Sequence, residues 1–105
     1  MNFHKWLKEN GVRYDSIEYP VAFGKNGDLI GIAAKRYIGP EEAYLFIPNK
    51  IIINDEKILK SEIGHIILKH EDVFKEHADS EYLRIIFFIT YELSKLEKSF
   101  WYPYF

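Results

Sequence analysis

The spacing of apolar residues changes at Asn54, and no other feature limits the fold as tightly. Before that point apolar residues alternate with polar ones or come in short runs; after it they recur every three or four positions. A period of two suits a strand and a period near 3.6 suits a helix. The expected fold is therefore α+β: short antiparallel β-strands followed by α-helices, with a short N-terminal helix in front.

That first helix is expected over residues 2–10, where Phe3, Trp6 and Leu7 share one face. Asn10-Gly11 is its stop, because glycine accepts the left-handed conformation common just past a helix end. In the β-region, Ile17, Tyr19 and Val21 alternate with Glu18 and Pro20, and Phe23 continues the series. Lys25-Asn26-Gly27-Asp28 reads as a turn. Strand-like runs are expected at 29–34, at 43–47 after the Gly39-Pro40 break, and at 51–53 after Pro48-Asn49.

In the second half, Asn54 or Asp55 is expected to cap a helix over 55–70 carrying Ile58, Leu59, Ile63, Ile66 and Ile67. Gly64 weakens it by roughly 1 kcal/mol relative to Ala. Asp79 or Ser80 caps a stronger helix over 80–98. Tyr82, Ile86, Ile89, Leu93, Leu96 and Phe100 form its stripe, and Ile85, Phe87 and Phe88 make its middle apolar nearly all round. Such a helix is buried on more than one side. The terminus Phe100-Trp101-Tyr102-Pro103-Tyr104-Phe105 is equally apolar, whereas chain ends are ordinarily polar and frayed. Its rings are expected to be held by packing, on the domain itself, on absent sequence or on another chain.

Composition narrows the function classes. A net charge of −2, with basic and acidic residues interleaved, argues against a nucleic-acid surface. The absence of cysteine excludes disulfides and thiolate metal sites. The apolar run 85–89 is far shorter than the roughly 20 residues a membrane span needs. With charges interrupting the first residues, no targeting leader is read, and a cytoplasmic or nuclear location is expected. There is no Gly-rich phosphate loop, GxSxG or HExxH. His65, His70 and His77 are spaced by five and seven, which suits histidines on helical turns better than a zinc site. Glu41-Glu42, Asp55-Glu56 and Glu71-Asp72 point to different faces and read as solvated turns or helix starts.

The order of segments carries the reading further. Gly31-Ile32-Ala33, Arg36, Ile38, Glu42 and Ile47-Pro48 resemble the opening of a SET domain. A long apolar helix running into Ser99-Phe100-Trp101-Tyr102-Pro103-Tyr104 is similar to the Rubisco large-subunit methyltransferase-like class of SET proteins. So is the opening Phe3-His4-Lys5-Trp6-Leu7 with Asn10-Gly11. Leu29 stands where the family usually has an earlier glycine, and Tyr37 where an Asp often follows the Arg.

The resemblance implies one partial SET domain over 1–105, with an N-terminal helix and loop at 1–15, a β-region at 16–54 and a helical region at 55–105. It implies S-adenosylmethionine-dependent protein-lysine methylation, with a protein lysine as substrate. The backbone of Asp28, Leu29, Ile30 and Gly31 then falls where the family touches S-adenosyl-L-methionine. The family's later Asn-His pair and catalytic Tyr have no counterpart here. No catalytic residue is therefore assigned, and the chain alone is expected to be inactive and to bind the cofactor weakly or not at all. The alternative is a non-catalytic protein-interaction domain derived from a SET fold. Self-association through the aromatic C-terminus is expected; nucleic-acid and membrane partners are not.

Overall fold

A computed structural model of the chain describes residues 2–76 and 79–105. It contains a short N-terminal helix, two antiparallel strands and then helices, the expected α+β order. The residues group into two compact units: one is His4–Ile51, the other Ile52–Phe105 together with Asn2 and Phe3.

The first unit takes in α1 (Phe3–Glu9) from His4 onward. Asn10 ends it as expected: its side-chain amide donates to the Trp6 carbonyl at 2.8 Å. Gly11 follows at φ 87°, where a side chain would be strained. Strands β1 (Ile17–Phe23) and β2 (Leu29–Ala34) then form a hairpin, with Phe23 opposite Leu29 and Ile17 opposite Ala34. Between Glu18 and Val21 the register shifts, so Tyr19 and Pro20 together face one residue of β2. Proline has no N–H for the ladder, and a bulge is where a sheet tolerates it. The unit's core is small: Trp6, Val12 and Ile17 are buried.

Two expected strands do not form. Residues 43–47 are exposed, and only Phe46 pairs, through a two-bond bridge with Arg13. An apolar run becomes a strand only where a neighbouring backbone accepts its hydrogen bonds, and among the described residues none but Arg13 pairs with it as a strand would. The second run begins in a 3-10 turn, Asn49–Ile51, because the Ile51 N–H donates back to the Pro48 carbonyl.

The second unit is helical: α2 (Asp55–Lys60), α3 (Gly64–Lys69), α4 (Glu71–Lys75) and α5 (Ser80–Ser94). Asn54 caps α2, its side-chain oxygen accepting from the Lys57 N–H at 3.0 Å. The helix expected over 55–70 is broken, with Gly64 at the corner. A β-carbon on Gly64 would overlap the Leu59 carbonyl, so the close turn between α2 and α3 requires glycine. Asp79 stands at the N-cap of α5 but makes no capping bond with its side chain. That helix ends at Ser94, and a 3-10 turn, Leu96–Lys98, follows with Leu96 at φ 53°. Helix α2 packs on α3 and α5, and α4 on α5. Ile58, Ile63, Ile67, Phe88 and Trp101 form the core.

Most of the stripe expected to bury α5 is exposed instead, with Ile89 its one half-buried member. Tyr82, Ile86, Leu93, Leu96 and Phe100 are all exposed, while Phe88 and Glu92 are the buried members of the helix. Of the terminal rings only Trp101 is buried, at an edge-to-face contact with Phe88 (centroids 6.4 Å apart). Phe100, Tyr102, Tyr104 and Phe105 remain 40–55% exposed, although Phe100 packs edge-to-face on Trp101 and Tyr104 lies against Phe3 and Phe105.

Candidate functional site

The residues expected at a cofactor lie at the far end of the hairpin. Gly24 (φ 90°) and Gly27 (φ 65°) shape the loop, and the Gly27 N–H donates to the Gly24 carbonyl. Asp28 closes the loop, with its carboxylate folded against Gly24: a β-carbon there would sit 2.8 Å from Asp28 Oδ1. Leu29, Ile30 and Gly31 open β2, facing Phe23, Ala22 and Val21. The sheet has two strands, so among the described residues the edge of β2 away from β1 carries no ladder partner. Leu29 and Ile30 are each 63% exposed. Gly31 is half-buried beneath Phe23, whose ring would lie 3.1 Å from a β-carbon at that position. The four residues thus present one carboxylate and two exposed apolar side chains along a strand with a ladder partner on one edge only, among the described residues.

A separate cleft of about 400 Å³ lies in the same unit. Arg13, Asp15, Ser16, Arg36, Tyr44 and Phe46 contribute to its lining; residues 28–31 do not. Arg36 is engaged: its Nη2 meets Glu42 Oε1 at 2.7 Å, and the Gly39 N–H donates to Glu42 Oε2 at 3.0 Å. The hydrogen bond from Arg36, then that from Gly39, holds the Glu42 carboxyl below the usual 4.5. Arg36 and Glu42, two of the residues that carry the family resemblance, are thereby joined across the Gly39-Pro40 turn. The pattern of Glu41-Glu42 suggests a solvated turn. The turn is there, with Glu41 at φ 66°, but Glu42 closes it. The signal was a basic residue and an acidic one either side of a Gly-Pro break.

A second polar cluster joins residues that no sequence motif links. Glu92, buried on α5, accepts from the Ser99 hydroxyl at 2.6 Å and from Lys95 Nζ at 3.1 Å. The Ser99 oxygen in turn accepts from the Trp101 N–H at 3.1 Å. The Ser and Trp of the terminal motif are therefore the parts that fold the chain end back onto α5. At the outer side of the cluster, the Tyr91 hydroxyl donates to Glu62 Oε2 at 2.6 Å and Lys95 reaches Glu62 Oε1 at 3.3 Å. These bonds lower the Glu62 carboxyl and raise the Tyr91 phenol from their ordinary values. Burial works to lower the Lys95 ammonium, but its bonds to Glu92 and Glu62 prevail and raise it.

His65 and His70 are exposed, and His77 lies outside the described residues. Among the described residues no three His, Cys, Asp or Glu side chains gather as a metal would require. No described helix is long and apolar enough to cross a membrane.

No family model matches the chain, and no solved structure does. Two curated proteins of Arabidopsis thaliana do. The chloroplastic (fructose-bisphosphate aldolase)-lysine N-methyltransferase is 38% identical over 64 residues, covering 60% of this chain and 13% of that protein. Protein SET DOMAIN GROUP 40 is 32% identical over 88 residues, covering 83% of this chain and 16% of that protein. The chain therefore spans about a sixth or less of the length of these relatives. One relative is named for lysine N-methyltransferase activity and the other for a SET domain. The resemblance to SET-domain protein methyltransferases, carried in the sequence by the order of individually weak motifs, is thus shown by two relatives at 38% and 32% identity.

Proposed function

We propose that this chain is the N-terminal portion of an S-adenosylmethionine-dependent protein-lysine methyltransferase, forming a single partial SET domain over 1–105, and that it is inactive alone. The similarity to a protein named as a lysine N-methyltransferase carries this reading. The hairpin supports it. When bound, S-adenosylmethionine supplies a methyl carbon made electrophilic by a positively charged sulfur. The open edge of β2 offers peptide N–H and C=O groups to hold such a molecule. Asp28 adds negative charge beside a positive ligand, and Leu29 and Ile30 offer apolar surface that excludes water. A backbone edge tolerates Leu29 in place of the family's glycine, because the contacts do not depend on the side chain. Methyl transfer needs a lysine amine aligned in a narrow, dry channel, and the exposed edge of a two-stranded hairpin supplies one wall of it.

Calorimetric titration of the purified chain with S-adenosylmethionine tests the reading. The expected result is no saturable binding below about 100 μM, weaker than about −5.5 kcal/mol. A dissociation constant in the low micromolar range, about −8 kcal/mol, would show that the hairpin suffices and that the proposed incompleteness is wrong.

A second reading, a non-catalytic protein-interaction domain derived from a SET fold, draws its support from the uncovered apolar side of α5.

A further inference from the structure

The cleft of about 400 Å³ has no part in the cofactor contact proposed above, since residues 28–31 do not line it. Backbone fixes its walls. The Arg13 N–H donates to the Phe46 carbonyl at 3.0 Å, and the Phe46 N–H to the Arg13 carbonyl at 2.9 Å. Residues directly opposite in an antiparallel pair send their side chains to the same face, so a guanidinium and a phenyl ring stand side by side. Ser16 is pinned by the Lys35 N–H, which donates to its carbonyl at 2.9 Å.

Two polar groups of the lining are uncommitted. Ser16 is 3% exposed, yet its hydroxyl has no hydrogen-bond partner among the described residues. A buried polar group without a partner is the exception in a folded chain. The oxygen is not walled in by protein, and the opening that Ser16 borders is this cleft. The exposed Arg13 guanidinium likewise has no ion pair or hydrogen bond among the described residues. Arg36, by contrast, is occupied by Glu42 at 2.7 Å and by the Tyr37 carbonyl at 3.1 Å. One cleft is thus lined by a free cation, a free hydroxyl and the exposed rings of Tyr44 and Phe46. Asp15, the acidic residue of the lining, is unpaired among the described residues as well.

We propose that this cleft binds a small aromatic carboxylate. The carboxylate takes the Arg13 fork and the Ser16 hydroxyl, charge-assisted bonds of the strong kind. The ring packs on Phe46 and Tyr44. The volume lies in the range of small-molecule sites. Asp15 sets the charge: against the one free cation it admits a single negative charge and repels a second, so a carboxylate is favoured over a phosphate dianion. The inference does not rest on methyltransferase chemistry.

Phenylacetate is the probe, titrated into the whole isotope-labelled chain to about 10 mM and followed by amide shifts. Saturable shifts centred on residues 13–16 and 43–46 are expected, with a dissociation constant below about 1 mM. Acetate lacks the ring, benzyl alcohol lacks the charge and phenyl phosphate carries a second charge; each should bind at least about tenfold more weakly. Arg13→Gln should weaken phenylacetate at least about tenfold. The bridge to Phe46 does not use the Arg13 side chain, so amide positions elsewhere should stay where they are. Asp15→Asn should narrow the gap between phenyl phosphate and phenylacetate. Absence of saturable shifts by about 10 mM would overturn the proposal. So would benzyl alcohol or phenyl phosphate binding as tightly as phenylacetate, or an Arg13→Gln chain that binds phenylacetate unchanged.

Discussion

Ser99 and Glu92 show how one buried hydrogen bond decides the course of the chain end. Replacing Ser99 with Ala leaves a buried carboxylate oxygen and the Trp101 N–H each short of a partner. The expected cost is about 1–3 kcal/mol, read from urea unfolding. Gly64→Ala should cost about 3 kcal/mol by the same measurement, since backbone must move to admit the methyl group. Glu62 and Tyr91 give the cluster a pH dependence at both ends. The Glu62 carboxyl is depressed below 4.5, so its contribution is present above that value and fades as pH falls through the lower folded value. The Tyr91 phenol is raised above 10.0, so its contribution is present below that value and fades as pH rises through the higher folded value. Both groups lie at the surface, so the effect is small. Glu62→Gln should flatten the acid side of the urea midpoint against pH. Local partners such as Asn54 with Lys57 were legible in the sequence because a cap lies three residues from its donor. Glu92 was not, because Ser99 lies beyond the irregular turn at Leu96.

The period change at Asn54 placed α5 within a few residues, yet its buried side was read from the wrong stripe. Apolar spacing reports which residues shun water and leaves open which of two apolar sides meets this chain's own core. Arg84 and Glu92 carried the missing signal: their partners, Asp55 and Ser99, lie on the covered side. The two elements also predict different costs among the terminal aromatics. Trp101→Ala should cost about 3–5 kcal/mol, since its ring fills the core beside Phe88. Phe105→Ala, at a ring 41% exposed, should cost under about 1.5 kcal/mol. Thermal melting of the two variants separates them by several degrees.

At the scale of the whole molecule, the described helices within 55–98 close around a core of their own, whereas among the described residues the β-region stops at one hairpin and one bridge. Residues 43–47 and 51–53 read as strands because their side chains suit strands, but a ladder also needs a partner, which composition does not encode. The same open backbone is where the proposed cofactor contact falls, at residues 28–31. An amide-resolved NMR titration of the chain with S-adenosylmethionine, to about 10 mM, tests it most directly. Fast-exchange shifts are expected, centred on the amides of Asp28, Leu29, Ile30 and Gly31 and unsaturated below millimolar ligand. Shifts centred on the helices of 55–98, with these four amides unmoved, would contradict it.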